Sequence, residues 1–549
     1  MSLLSAVDAV DVTPIDEWIA AQGDLSAVER FSQRHATEVA PLQARYYRDL
    51  LPAAPPGPGQ QYAFAVDLDT CTGCKACVAA CHSLNGLDDG EEWRKVTSLT
   101  GTRSGRAYRQ HVTAACHHCV EPACMHGCPV DAYEKDPVTG IVTHLDDQCI
   151  GCSYCTLTCP YEVPAYDHRR GIVRKCDMCT GRLQEGEAPA CVQGCPNGAI
   201  EITVVDVASV VAATAAAVLV PGAPPSAITA PTTQYRTRDG FDDASLGGAP
   251  VGRVATAHPP LTVMLVLTQV AVGAFVADLV LRWLSERAAG AVPAFDAVLV
   301  VAAAALALGA SVLHLGRPLH GYRAVIGLRH SWLSREVVAF GLFTGLAIPY
   351  AAVLAIEPAA IGPGLTRAAG VAVAITGTLG VVCSVLIYSR TRRASWSFAS
   401  VAAKFVLTAA TGGVAALLWM SAVSESLGVT DGIELASGTR RALFLVVAGL
   451  TTLKLAGEAV GLRHLVRPDD SEGSRRALLL VGPLRTTTRR RFAVGVAGGV
   501  LLPVVGAIFV GGSTSSLLAA LLATGVLAGV VVGELLERTL FFTAASAPR

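Results

Sequence analysis

The stretch that decides the fold is residues 71–81, CTGCKACVAAC, whose four cysteines have the spacing C-x2-C-x2-C-x3-C. The same spacing recurs at residues 149–159, CIGCSYCTLTC, where Pro160 follows the last cysteine. Numbered in chain order, these are the first and third of four groups of four cysteines. The second group contains Cys116, Cys119, Cys124 and Cys128, and the fourth contains Cys176, Cys179, Cys191 and Cys195. Sixteen of the 17 cysteines therefore lie within residues 71–195.

Three chemistries compete for these cysteines. Disulfides need an oxidising compartment, and the start of the chain, MSLLSAVDAV, lacks the basic segment or twin arginine of an export signal. Zinc usually takes two CxxC pairs, or one pair with two histidines, at wider separation. Cysteines two residues apart, followed by a Cys-Pro pair, are typical of iron–sulfur ligands. The spacing favours four [4Fe–4S] clusters, with zinc as the alternative.

Composition divides the chain into two parts. Only 16% of its 549 residues are charged and the net charge is −1, which argues against a nucleic-acid-binding protein. From Leu261 onward the chain is predominantly apolar, in stretches close to the ~20 residues that span a bilayer. We expect eight spans, near residues 261–281, 295–313, 337–356, 368–388, 405–423, 442–462, 492–510 and 517–536. Val207–Val220 is too short to be a ninth.

The basic residues predict an orientation. With eight spans, the connections on the same side as the cysteines carry sixteen Lys and Arg residues, against five on the other side. Because basic connections remain in the cytoplasm, we expect a multi-pass protein of the inner (cytoplasmic) membrane of a prokaryote, with the cysteines on the cytoplasmic side.

The cysteine-rich part resembles a known family over residues 60–205. The words CTGCKACVAACHSLNGL, CHHCVEPACMHGCPVDAY, CIGCSYCTLTCPYEVPAYD and CDMCTGRLQEGEAPACVQGCPNGAI are similar to the four-cluster subunit of DMSO reductase-type molybdoenzymes. The resemblance implies an α+β polyferredoxin fold of tandem ferredoxin-like units, and it pairs group one with group four and group two with group three. The implied ligand sets are Cys71, Cys74, Cys77 and Cys195; Cys81, Cys176, Cys179 and Cys191; Cys116, Cys119, Cys124 and Cys159; and Cys128, Cys149, Cys152 and Cys155.

Between groups two and three, EKDPVTGIVTHLD predicts a β-hairpin insert with its turn at Asp136–Gly140. His117, His118 and His126 lie among the cysteines. Since each implied cluster already has four cysteines, we expect these histidines to hydrogen-bond sulfur or to face solvent.

The apolar part resembles a second subunit of the same enzymes. SVLHLGRPLHGYRAVIGLRHSWLSREVVAF, residues 311–340, is similar to the quinol-oxidising membrane anchor, an all-α, eight-span, haem-free protein. The absence of mid-span histidines here also predicts no haem. The chain is thus expected to fuse the two subunits. Its predicted regions are a helical extension (1–60), a cluster domain (61–205), a linker (206–258) and a membrane anchor with a quinone site (259–549).

Polar residues near the cysteine side of the spans are candidates for that quinone site. We expect His314 to contact the menaquinone head group, helped by Arg317 and Glu336. The alternative is that HLGRP only ends a helix, with Gly316 as cap and Pro318 as stop. Lys454 and Glu458 are four residues apart and could neutralise each other, whereas Asp278 and Glu534 are expected at the membrane interfaces.

The two resemblances predict a fused electron-transfer and anchor subunit that exchanges electrons between menaquinol and a separate molybdopterin-containing catalytic partner. Molybdopterin would lie only in that partner, and this chain would have no substrate-reducing site. Within the same class, the alternatives are the reverse direction, as in a sulfite dehydrogenase, and polysulfide reduction. Alternatives in other classes are a membrane polyferredoxin without a dedicated partner and a zinc-binding scaffold.

Overall fold

The structure is a computed structural model, and the residues that it describes are 13–23, 26–37, 42–103, 106–214, 217–241, 245–247, 254–284, 293–356, 362–429, 435–465, 472–509 and 515–545. The cysteine-rich part is an α+β domain and the apolar part is helical, as the sequence predicts.

The α+β part contains short strands and helices. The strands are β1 (Gln60–Asp67), β2 (Lys95–Arg103), β3 (Arg106–Ala114), β4 (Tyr133–Lys135), β5 (Val142–His144), β6 (Ala165–Asp167), β7 (Ile172–Arg174), β8 (Ile200–Asp206), β9 (Gln234–Arg236) and β10 (Ser245–Gly247). The helices are α1 (Pro14–Gly23), α2 (Ala27–Thr37), α3 (Ala76–Asn85), α4 (Ala123–Gly127), α5 (Tyr154–Thr158), α6 (Thr180–Gln184), α7 (Ala190–Gln193) and α8 (Val207–Thr214).

Strand pairing brings the first and last segments of this domain together, with the segments that carry groups two and three between them in the sequence. β1 pairs antiparallel with β8, so chain segments before group one and after group four lie side by side. Between them, β4 pairs with β5 and β6 pairs with β7 as separate hairpins. The β4–β5 turn has Gly140 in a left-handed conformation, which confirms the predicted hairpin at Asp136–Gly140. This arrangement brings groups one and four together, and groups two and three lie next to each other.

The segment 206–258, which the sequence suggests as a linker, is partly built into the α+β domain. β9 pairs parallel with the other edge of β1, and β10 pairs with β2. Thr232 donates hydrogen bonds to the His117 carbonyl from both its backbone N–H and its hydroxyl. β9 thus covers the edge of β1 opposite β8, and Thr232 fastens the preceding residues to the cysteine-containing stretch.

Eight helical segments in the described part of the chain are long and apolar enough to cross a membrane, which confirms the predicted number. They are α9 (Pro259–Leu284), α10 (Ala294–Leu313), α11 (Trp332–Ile356), α12 (Pro363–Ser389), α13 (Phe398–Leu427), α14 (Ser437–Val460), α16 (Arg485–Val496) continued through a π-helical turn into α17 (Leu502–Phe509), and α18 (Ser516–Thr543). The short α15 (Glu472–Val481) lies between spans six and seven, and α8, within Val207–Val220, has only 8 residues.

Candidate functional site

The fold brings cysteines from different groups into four spatial sets. Set one lines a common cavity, and so does set three; the members of sets two and four interact electrostatically with one another. The memberships agree with those implied by the resemblance: set one is Cys71, Cys74, Cys77 and Cys195; set two is Cys81, Cys176, Cys179 and Cys191; set three is Cys116, Cys119, Cys124 and Cys159; set four is Cys128, Cys149, Cys152 and Cys155.

Shared elements place the sets in a row. Cys77 and Cys81 lie on α3, so they join sets one and two. Cys176 of set two interacts with Cys116 of set three. Cys155 lies on α5 and Cys159 follows that helix directly, which joins set four to set three. The row therefore runs from set one through sets two and three to set four.

Each group begins with the same backbone turn. The residue before the second cysteine is left-handed in all four groups: Gly73, His118, Gly151 and Met178. This conformation turns the backbone N–H of that residue toward the first cysteine. Its distance from the sulfur is 3.5 Å for Cys116 and 3.4 Å for Cys149 and Cys176, and the corresponding bond from Gly73 reaches Cys71. One backbone N–H therefore points at the first sulfur of each group, and hydrogen bonds of this kind stabilise the thiolates of an iron–sulfur cluster.

The geometry fits clusters better than single ions. Within the described ranges, no group of three or more His, Cys, Asp or Glu side chains is placed to hold one metal ion. A zinc site would bring four sulfurs to about 2.3 Å from one point, whereas a cubane spreads its four thiolates over four irons. Cavities bounded by four cysteines, as in sets one and three, match the second arrangement.

The three histidines among the cysteines have other partners. The ring of His117 hydrogen-bonds Thr233 at 2.8 Å, and His118 accepts a hydrogen bond from the backbone N–H of Val142 at 3.0 Å. His126 faces solvent and contacts Glu121. The expectation of solvent exposure is correct for His126, but the rings of His117 and His118 bond oxygen and a backbone N–H rather than sulfur.

Set four docks on the membrane helices. The phenol of Tyr154 donates to the Ile387 carbonyl at the end of α12, at 2.7 Å. Cys152 packs against the hydrophobic core formed by the spans. On the connection between spans two and three, the His330 ring lies 3.0 Å from the Cys128 carbonyl. Set four is therefore the cysteine set in contact with the membrane part.

A cavity of about 640 Å³ opens at this junction. Its walls come from the set-four loop, from the start of span one, from the end of span two and from the end of span eight. They include Ser153, Thr156, His168, His258, His314, Arg393 and Phe542. Burial lowers the pKa of both His258 and His314 below the usual value for histidine. The cavity therefore combines two histidine rings, whose neutral form is favoured by burial, with the charged side chains of Glu162, Arg393 and Arg475 on its walls.

The structure separates the three residues that the sequence groups as a quinone site. His314 lines the cavity, but Arg317 and Glu336 are not among its lining residues. Arg317 instead donates to the Asp146 carbonyl at 2.7 Å, which ties the second connection to the set-four loop. Glu336 is buried in span three and accepts a hydrogen bond from Ser384 in span four. His258 and Arg393 were missed because nothing in the sequence links span one or span four to HLGRP.

A separate cluster of charges is buried among the last four spans. Lys454 pairs with Glu534, and Arg491 pairs with Glu458 at 2.7 Å. Lys404 pairs with Glu537 at 2.8 Å. The predicted neutralisation of Lys454 by Glu458 is therefore wrong. Glu534, which is expected at a membrane interface, is 3% exposed and lies between the helices of the bundle.

Comparisons with known proteins find matches for both the cysteine-rich part and the apolar part of this protein. The B subunit of anaerobic dimethyl sulfoxide reductase from Haemophilus influenzae is 36% identical over 156 residues, which cover 76% of that protein and 27% of this one. This protein belongs to the family of iron–sulfur subunits of dimethyl sulfoxide reductase. Residues 108–205 match the 4Fe-4S dicluster domain, and residues 255–437 match the DMSO reductase anchor subunit. The protein is thus a multi-pass membrane protein in which an iron–sulfur electron-transfer domain is fused to an anchor.

Other relatives resemble the same part of the sequence. A probable anaerobic dimethyl sulfoxide reductase subunit of Escherichia coli K12 is 38% identical over 149 residues, 72% of its length and 26% of this protein. The hydrogenase-2 operon protein HybA of Escherichia coli O157:H7 is 36% identical over 173 residues, 52% of its length and 27% of this protein. The iron–sulfur part is therefore similar to proteins whose names refer to different oxidoreductases.

Proposed function

We propose that this protein carries electrons between menaquinol in the membrane and a molybdopterin-containing catalytic partner. Four [4Fe–4S] clusters, one held by each cysteine set, would supply a row of one-electron carriers. The observation that carries the proposal is the position of set four, whose Cys152 packs on the spans and whose loop supplies Ser153 and Thr156 to the cavity wall. A quinone head group in that cavity would lie beside the last set of the row.

The set-one end of the row is where we expect a partner protein to bind. Cys74 of set one is exposed, whereas the other fifteen cluster cysteines are buried or half-buried. The surface around it is polar and includes Thr72, Lys75 and Asn197. Since electron transfer between proteins requires close approach, a catalytic subunit would dock over this surface. The relatives named as subunits of dimethyl sulfoxide reductase support a molybdoenzyme as this partner.

His314 would act on the quinol protons. A histidine with a lowered pKa is neutral near pH 7, so one ring nitrogen can accept a hydrogen bond from a quinol hydroxyl and then its proton. His258 and His168 line the same cavity. Arg317 would have a different role, because it holds the set-four loop on the membrane helices.

The decisive experiment is His314→Ala in the complete complex. Loss of the ring should abolish menaquinol oxidation while the iron content and the cluster spectra stay unchanged, because His314 is not in any cysteine set. His320→Ala is the matched control, since His320 lies on the same connection but does not line the cavity. Menaquinol oxidation at the normal rate in the His314 variant would remove the proposed site.

The same geometry is compatible with electron flow in the reverse direction, as in a sulfite dehydrogenase. It is also compatible with a polysulfide reductase. A polyferredoxin with several soluble partners differs, since it would not copurify with one large subunit. Purifying the solubilised protein from its native membrane and analysing bound molybdenum separates these classes. A stoichiometric molybdenum subunit is the expected result, and its absence at full iron loading would favour the polyferredoxin.

A further inference from the structure

The stretch 226–233 follows the iron–sulfur region and contributes to the wall of the cavity bounded by set three. The match to the dicluster domain ends at residue 205, as does the family resemblance, so neither assigns this stretch a role. Five consecutive residues of it, 229–233 with the sequence TAPTT, are buried, and three of them are threonines. Because a buried hydroxyl group normally has a hydrogen-bond partner, the partners of these threonines indicate what the stretch does.

Backbone hydrogen bonds fasten this stretch to residues 116–121, the loop that carries the first two cysteines of set three. The backbone N–H groups of Val120 and of the residue after it donate to the Ala230 carbonyl and to the carbonyl of the residue before it, at 2.9 and 3.0 Å. The backbone N–H of Thr232 donates in the opposite direction, to the His117 carbonyl, at 3.2 Å. The three bonds hold the stretch against one wall of the set-three cavity.

Two hydroxyl groups at this cavity are buried without a hydrogen-bond partner among the described residues. They belong to Thr229, which is 1% exposed, and to Tyr161, and both residues line the cavity together with the four set-three cysteines. Both side chains interact with the Cys119 thiol, yet neither hydroxyl forms a hydrogen bond of ordinary geometry with it. A buried hydroxyl without a partner costs about 1–3 kcal/mol. An acceptor inside the cavity would remove this cost for both groups.

The stretch that supplies Thr229 also orients Tyr161. The hydroxyl of Thr233 and the ring of His117 form a hydrogen bond of 2.8 Å. That ring packs edge-on against the Tyr161 ring, with 4.4 Å between the centroids and an angle of 76° between the planes. Both unpartnered hydroxyls at the set-three cavity therefore depend on residues 226–233 for their position.

The set-one cavity has a hydroxyl group in a comparable position. Thr113 lines that cavity, and its hydroxyl oxygen lies 3.5 Å from the sulfur of Cys77. Thr113 lies on β3, inside the cluster domain. At set three the comparable threonine hydroxyl, that of Thr229, comes from a stretch that the sequence suggests is only a linker.

We propose that Thr229 and Tyr161 donate hydrogen bonds to the cluster held by set three, and that residues 226–233 are part of its binding site. The acceptor would be the Cys119 thiolate or a sulfide of the cluster. Because reduction adds negative charge to a cluster, such bonds stabilise its reduced state more than its oxidised state and raise its potential. This inference rests on the proposed function only in assuming that set three holds a [4Fe–4S] cluster. It does not depend on the quinol, the catalytic partner or the direction of electron flow.

The test compares Thr229→Val with Thr229→Ser in the solubilised full-length protein. Valine has the shape of threonine but lacks the hydroxyl, whereas serine keeps it. The clusters are titrated with dithionite and mediators and followed by electron paramagnetic resonance, and the set-three signal is the one altered by Cys119→Ser. We expect valine to make this cluster about tenfold harder to reduce, equivalent to about 59 mV for a one-electron couple. Serine should leave its potential close to that of the wild-type protein.

A second measurement detects the hydrogen bonds themselves. Pulsed electron–nuclear double resonance of the reduced set-three cluster, before and after exchange into D₂O, shows which coupled protons exchange with solvent. We expect one exchangeable proton fewer in Thr229→Val than in the wild-type protein and in Thr229→Ser. Tyr161→Phe should remove a different exchangeable proton and shift the potential in the same direction.

Thr232→Val is the matched control. Thr232 lies in the same buried run, but its hydroxyl donates to the His117 carbonyl at 2.7 Å and, in the described part of the chain, it does not line the set-three cavity. Its substitution should loosen the stretch and leave the set-three potential unchanged.

The possible outcomes separate the hydroxyl from the packing of the stretch. Loss of the set-three cluster from Thr229→Val alone, with the cluster retained in Thr229→Ser and Thr232→Val, would support the inference. Equal shifts in Thr229→Val and Thr232→Val, loss of the cluster from Thr229→Ser, or unchanged potentials and proton couplings in both Thr229→Val and Tyr161→Phe would each overturn it. Absence of iron from the wild-type protein would instead overturn the proposed function.

Discussion

At the scale of single residues, Gly316 shows how the two parts of the chain meet. It lies in HLGRP, and its backbone N–H donates to the Gly151 carbonyl in the set-four loop at 3.3 Å. A Cβ added to Gly316 would overlap the carbonyl oxygen of Gly171. The close approach of these backbones, rather than helix capping, is what requires glycine here, since Gly316 is not among the left-handed residues and α10 ends at Leu313 with His314 as its cap.

Gly316→Ala should therefore loosen the docking of set four. Overpacking of this kind typically costs about 1–3 kcal/mol, and the displaced loop should slow cluster reduction by menaquinol while the clusters remain bound. Stopped-flow absorbance of cluster reduction measures this rate. Gly309→Ala is the control on the preceding helix, because a Cβ there meets nothing within 4 Å. Equal rates in the two variants would show that the glycine contact does not position the loop.

The sequence could identify HLGRP as important but could not say why. His314, Gly316 and Arg317 are close together in the chain, so one shared role is the simplest interpretation. In the structure, His314 faces the cavity while the next residues hold the cluster loop by backbone and side-chain hydrogen bonds. Which direction each side chain takes depends on Gly151 and Gly171, which are far away in the sequence, and no local pattern contains that information.

At the scale of elements, helix pairing decides which buried charges meet. The spacing of Lys454 and Glu458 predicts a pair within α14, because residues four apart share a helix face. In the structure, α18 supplies Glu534 to Lys454, and α16 supplies Arg491 to Glu458. Periodicity along one helix gives its own neighbours only, so partners from other helices could not be predicted. The positions of the spans were predictable, since each depends on the composition of a single stretch.

Glu534→Gln should destabilise the membrane bundle. Glu534 contacts both Lys454 and Arg491, so its neutralisation leaves two buried cations short of one negative charge. Removing one partner of a buried pair costs about 3–5 kcal/mol. The midpoint of thermal unfolding in detergent, followed by tryptophan fluorescence, should fall clearly.

The control for this substitution is Glu425→Gln. Glu425 pairs with Arg440 at 2.6 Å, but half of its side chain is exposed, and such pairs contribute about 0–1 kcal/mol. Its loss should leave the midpoint almost unchanged. If both variants melt at the same temperature, the buried charges do not hold the last four spans together.

At the scale of the whole molecule, the order of the cysteine sets follows from one strand pairing. Spacing alone gives four groups, and the assignment of ligands across groups came only from the family resemblance. The β1–β8 pairing supplies the physical reason, because it places residues 60–66 beside residues 200–206 and so joins the outer groups. Pairing between strands so distant in the sequence cannot be predicted from any local stretch. The cysteine spacing that identifies the chemistry is local and could therefore be recognised.

The orientation of the whole protein in its membrane is the last prediction. The backbone N–H of Ala255, before span one, donates to the Thr543 carbonyl at the end of span eight at 3.0 Å, so the cluster domain and the end of span eight share one side. The connections and adjoining helix ends on that side carry sixteen basic residues, of which Lys404 and Arg491 are buried in the bundle, and those on the other side carry five. This bias favours a cytoplasmic location for the cluster domain. Alkaline phosphatase fused after residue 549 should be inactive, and phosphatase fused after residue 429, beyond span five, should be active. The reverse pattern would place the clusters outside the cytoplasm, and matched expression of both fusions is the necessary control.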